Sequence, residues 1–199
     1  MQRIMMSDAA LPVTGIIEAV LLTAGKPLTV QQLRDVFDET ERPTHKAVEQ
    51  ALVELEQLCC GRGFELKKVA SGYRLQVRES FAPWVARLFE EKPPRYSRAL
   101  LETLALIGYR QPITRGEIED IRGVAVSSNI IRTLVEREWV RIVGHREVPG
   151  RPAMYATTRQ FLDYFNLISL DQLPPLSDSR DLDAIGREIE QKIEQTPFH

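Results

Sequence analysis

The chain has 199 residues, 43% of them hydrophobic and 27% charged, so the sequence predicts a packed globular protein rather than a disordered one. A net charge of −2 gives no general bias toward nucleic acid, and no apolar run approaches the roughly 20 residues needed to cross a bilayer. Met1 to Leu11 has neither the apolar stretch nor the small-residue cleavage pattern of a secretory signal, which sets the expectation of a cytoplasmic protein.

Charge is uneven along the chain. Residues 16–91 carry 10 basic and 12 acidic residues, 95–159 carry 11 arginines against 7 acids, and 3 basic residues face 8 acidic ones from Gln160 onward. The middle stretch is therefore mildly basic and the tail acidic.

Taken in order, Ile16 to Ala24 reads as an apolar helix ending near Gly25. Thr29 then caps a second helix, with Gln32 three residues on completing a capping box. Val48, Ala51, Leu52, Leu55 and Cys59 share one face of a third helix. The period next changes to two, through Phe64 and Leu66, a turn at Ser71–Gly72, and Tyr73, Leu75 and Val77, the pattern of a β-hairpin. Phe81, Val85, Leu88 and Phe89 continue as a helix that Pro93 and Pro94 stop.

The same series recurs at an offset of 85 residues, where Pro27-Leu28-Thr29 aligns with Pro112-Ile113-Thr114 and Gln32 with Glu117. Ala99 to Ile107 is the apolar helix, with Gly108 as its stop; Ile130, Ile131, Leu134 and Val135 mark the third helix. Val140 and Ile142, a turn at Pro149–Gly150, then Met154 and Tyr155 form the hairpin. Thr158 caps a short helix with Phe161, Leu162 and Phe165. Three helices and a hairpin, found twice, describe a helix-rich α+β chain of two tandem winged helix-turn-helix domains with an acidic C-terminal tail. The expected divisions are a flexible N-terminus at 1–13, a first domain at 14–91, a linker at 92–96, a second domain at 97–176 and a mobile or helical tail at 177–199, whose Leu182, Ile185, Ile189 and Ile193 make a narrow apolar stripe.

Little in the sequence points to catalysis. His45, His145 and His199 are scattered, and adjacent Cys59 and Cys60 are poorly placed for a disulfide or a metal site. Gly61-Arg62-Gly63 leads into a strand and lacks the Lys-Ser/Thr of a phosphate loop. The expectation is a protein without enzymatic activity, cofactor or metal.

Arg98-Ala99-Leu100-Leu101-Glu102-Thr103-Leu104, Tyr109-Arg110-Gln111-Pro112-Ile113-Thr114-Arg115-Gly116-Glu117-Ile118, Ile121-Arg122-Gly123-Val124, Pro149-Gly150-Arg151-Pro152 and Leu173-Pro174-Pro175-Leu176 together strongly resemble the segregation and condensation protein B family. The resemblance covers about 80 residues, and Gly25 to Leu28 with the first hairpin match more loosely. It implies a dimeric subunit that binds the kleisin, segregation and condensation protein A (ScpA), and through it the structural-maintenance-of-chromosomes (SMC) ATPase, in nucleoid-associated chromosome condensation and segregation. A DNA-binding winged-helix regulator is the alternative reading. Against it, Glu136 and Glu138 follow Ser127, Ser128, Asn129 and Arg132 on the helix that would enter the major groove. Direct DNA binding is therefore expected to be weak or absent.

For the kleisin surface, Arg110, Arg115, Arg122 and Arg151 lie in or beside turns, and Tyr109, Pro112 and Tyr155 offer an aromatic edge. Arg122→Glu and Tyr155→Ala are expected to weaken partner binding without unfolding the chain. Ile17, Val20 and Leu21 of the first helix are the expected dimer contact.

Overall fold

Each half of the chain is organised by a threonine that starts its second helix. In the computed structural model, which describes residues 11–88 and 96–173, both capping boxes form: Thr29 accepts from the Gln32 amide, and Thr114 from the Glu117 amide, while the residue-32 and residue-117 side chains accept from the cap backbone. The chain separates into two compact units, the first ending at Lys67 and including Gly72–Gln76, the second made of Lys68–Ser71 and the chain from Val77 onward.

The first unit contains α1 (Val13–Ala24), α2 (Val30–Asp35), α3 (His45–Leu58) and most of a hairpin of β1 (Phe64–Val69) and β2 (Gly72–Val77), whose tip at Lys68–Ser71 is counted with the second unit. Gly25 ends α1 in the left-handed conformation, as its lack of a Cβ permits. Ile17, Leu21, Leu33, Val48, Leu52, Leu55 and Cys59 form the core. Leu28 exchanges backbone hydrogen bonds of 2.9 and 2.8 Å with Tyr73 and so ties the turn before α2 to β2. This approach requires glycine at position 72: its φ is +139°, and a Cβ there would lie 2.2 Å from the Leu28 carbonyl oxygen. A 3-10 turn (Glu79–Phe81) and α4 (Ala82–Val85) follow β2. Phe89, read as part of this helix, lies outside the described residues, as do Pro93, Pro94 and the acidic tail.

In the second unit, α5 (Arg98–Arg110), β3 (Ile113–Thr114), α6 (Arg115–Arg122) and α7 (Ser128–Glu136) precede β4 (Val140–His145), β5 (Ala153–Thr157) and α8 (Arg159–Tyr164). The sheet order is β3-β5-β4, antiparallel throughout, with Ile113 opposite Tyr155 and Val140 opposite Thr157. Strand β3 has no counterpart among the predicted elements, because its two residues are too few to show a period.

Gly108 corrects another expectation. It does not stop α5 but sits buried inside it, where a Cβ would meet Phe161 and Leu173 at 3.8 and 3.7 Å; the glycine lets neighbouring side chains pack close to the helix backbone. Leu101, Leu104, Ile107, Ile118 and Leu134 share one core with Trp139, whose ring contacts Tyr96, Tyr164 and Phe165 at centroid distances of 5.3, 4.7 and 5.5 Å. Tyr96, read as the last linker residue, is thus part of this core. Burial pushes the Tyr164 hydroxyl up to about 12. No helix among the described residues is long and apolar enough to cross a membrane.

Candidate partner-binding surfaces

Helix α1 carries a single charged residue, Glu18, among VTGIIEAVLLTA. A helix that is apolar nearly all round has more than one face to bury. The face of Ile17 and Leu21, 0% and 4% exposed, packs into the core of its own unit. The opposite side bears an open groove of about 740 Å³ lined by Leu11, Pro12, Gly15, Ile16, Ala19, Val20, Thr23 and Ala24. Of the three expected dimer residues, only Val20 therefore reaches this surface. Ile17 and Leu21 are corrected to core residues, because an i, i+4 pair on a uniformly apolar helix does not reveal which face turns inward.

In the second unit, the Tyr109–Pro112 segment is bound to the end of β5: the Gln111 side-chain oxygen accepts from both the Thr157 amide at 2.7 Å and its hydroxyl at 3.0 Å. Half-buried Tyr109, exposed Arg110 and exposed Pro112 are thereby held beside the sheet. Tyr155 joins them through its pairing with Ile113 and is half-buried against the core.

The other arginines are engaged within the fold. Arg115 donates to Glu119 at 2.9 Å and Ser128 at 3.1 Å. The Val126 amide and then Arg115 hold the Glu119 carboxyl below the usual carboxylate range. Arg151, in left-handed backbone at the hairpin tip, pairs with Glu147 at 3.1 Å and lies on a different element from the Tyr109–Pro112 segment.

Arg122 differs most from expectation. Its side chain is 7% exposed and binds Glu102 at 2.8 Å, with Thr103 at 3.4 Å. Reversing its charge would put two carboxylates together in a largely dry site, so the expectation that Arg122→Glu leaves folding intact is corrected. Arg146, not among the predicted site residues, reaches from the hairpin to Glu117 at 2.5 Å. Thr114 and Arg146 together lower the Glu117 pKa to about 2.

Among the described residues there is no group of three or more His, Cys, Asp or Glu side chains that could hold a metal. The surfaces offer an apolar groove, a sheet edge and a few arginines, which suit binding to another polypeptide.

Residues 15–176 match the family model of the segregation and condensation complex subunit ScpB. The chain is 54% identical over 178 residues to a segregation and condensation protein B homolog of Coxiella burnetii, covering 89% of this chain and 85% of that protein. It is 45% identical over 168 residues to the segregation and condensation protein B of Syntrophotalea carbinolica, covering 84% of each. It also aligns with a crystal structure of a dimer of the ScpB N-terminal domain complexed with ScpA peptide, at 26% identity and a TM-score of 0.36 over 39% of this chain and 95% of that one. The chain belongs to the ScpB family of segregation and condensation complex subunits.

Proposed function

We propose that this protein is a non-catalytic subunit of a bacterial SMC–kleisin complex, binding ScpA as a homodimer and acting at the nucleoid in chromosome condensation and segregation. The observation that carries the reading is the family match across residues 15–176, which spans both helix-and-hairpin units. Three helices followed by a hairpin, twice over, support a tandem winged-helix organisation, with domains near 14–91 and 97–176.

In this reading the groove side of α1, through Ile16, Ala19 and Val20, is the dimer contact. Burying an apolar surface of this kind favours association at roughly 25 cal/mol per Å² before the costs of ordering. Tyr109, Arg110, Pro112 and Tyr155 contribute to the ScpA surface. Arg115 and Arg151 reach ScpA only by sharing or exchanging their present carboxylate partners.

The engaged arginines disfavour the DNA-regulator alternative. Arg115 and Arg132 are paired with Glu119 and Glu136 on the helices that would approach a duplex. Titration with ScpA and with short duplex DNA at low and moderate salt tests the assignment. A protein interface with an apolar centre should keep most of its affinity as salt rises, whereas phosphate binding falls steeply. Salt-sensitive DNA binding without ScpA binding overturns the assignment.

A further inference from the structure

We infer that the outer edge of β4 is a strand-pairing site for an extended segment of ScpA that carries β-branched side chains and a carboxylate; this inference rests on the ScpA-binding reading above. In the order β3-β5-β4, strand β4 is paired, among the described residues, only to β5. Its other edge carries the backbone donors and acceptors of alternate residues along the six-residue strand VRIVGH, and such an edge accepts an added strand.

The side chains there favour an occupant. The β4–β5 register shifts between Ile142 and Gly144: Ile142 lies opposite Tyr155 and Gly144 opposite Met154, leaving Val143 out of step. Two consecutive β-branched residues are exposed as a result, Ile142 at 53% and Val143 at 39%, with Val148 of the same hairpin at 47%. Edge strands of soluble domains are commonly protected by proline, by charge or by a covering element. Here strand β4 has no proline, and its one formal charge is Arg141.

Charge identifies the kind of segment. Strand β4 bears Arg141 and His145, both exposed, and neither β4 nor β5 has a carboxylate. A second copy of the same strand offers Arg141 no carboxylate, whereas a segment with Asp or Glu near Arg141 and β-branched residues along Ile142 and Val143 complements the edge.

The test is backbone hydrogen exchange on the full chain with and without full-length ScpA from the same organism, together with binding by the Ile142→Lys/Val143→Lys double variant and by Arg141→Glu. All three positions are exposed, and unchanged thermal melting will show that the variants fold. The expected result is slowed exchange at residues 141–145 on ScpA addition and affinity weakened about tenfold or more by the double variant, with Arg141→Glu weakening it and Arg141→Lys retaining it. If ScpA binds wild type and variants equally and leaves β4 exchange unchanged, the strand-pairing site is wrong and the ScpA reading stands. Protection of β4 without ScpA that grows with protein concentration makes a second copy the occupant and also overturns the inference. A wild-type chain that does not bind ScpA overturns both.

Discussion

Arg122 and Glu102, twenty residues apart in sequence, form an ion pair of 2.8 Å in which the arginine side chain is 7% and the glutamate side chain 16% exposed. This joins the end of α6 to α5. Breaking a buried pair from one side costs about 3–5 kcal/mol, because the remaining charge is left uncompensated, whereas replacing both partners by apolar residues of similar volume is often tolerated. Arg122→Glu is therefore expected to lower the urea midpoint of the second unit markedly, while Arg122→Met combined with Glu102→Leu recovers most of the loss. Equal midpoints for Arg122→Glu and wild type would remove the pair from the account.

Trp139 has a similar role in the apolar core. It contacts three aromatic rings and is 2% exposed. Trp139→Ala should cost about 3–5 kcal/mol through lost burial and an unfilled cavity, read as a fall in the denaturation midpoint. Trp139→Phe should lose less.

Acid should weaken the second unit through Glu117. The Thr114 backbone N–H, the Arg146 guanidinium and the Thr114 hydroxyl lower its carboxyl from 4.5 to about 2 in the folded state. Because the folded value is the lower one, its stabilising contribution is complete above the unfolded value and is lost as pH falls from about 4.5 through 2. Glu117→Gln can keep the cap, as Gln32 does at the equivalent place in the first unit, but has no proton to gain. Its stability should decline less over that pH range than the wild type's, as followed by chemical denaturation at several pH values.

Ile16 and Leu21 lie on the same helix but should respond differently to substitution. Leu21→Ala, a core truncation, is expected to cost about 2–5 kcal/mol. Ile16→Asp, on the groove side, should leave the melting of dilute protein nearly unchanged and abolish self-association. Sedimentation of both variants alongside thermal melts separates the two effects, and an Ile16→Asp variant that remains fully associated would place the dimer contact elsewhere.

Much of the fold was legible because its signals are local. Thr29 and Gln32, or Thr114 and Glu117, lie three residues apart and specify a helix start without help from the rest of the chain. Gly25 and Gly108 look alike in sequence, yet the first is left-handed at a helix end and the second allows close packing within a helix, a distinction made by Phe161 and Leu173 far along the chain. The site was less legible for the same reason. Which face of α1 turns inward depends on α3, and whether an arginine is available depends on carboxylates such as Glu102 and Glu117 that no short-range spacing associates with Arg122 or Arg146.

Light scattering coupled to size-exclusion chromatography, on the chain alone and mixed with ScpA from the same organism, decides whether the protein is a dimer that binds ScpA. The expected masses are twice 22.7 kDa for the chain alone and a larger complex of defined stoichiometry on adding ScpA. A chain that elutes at its monomer mass and is unchanged by ScpA would contradict both expectations.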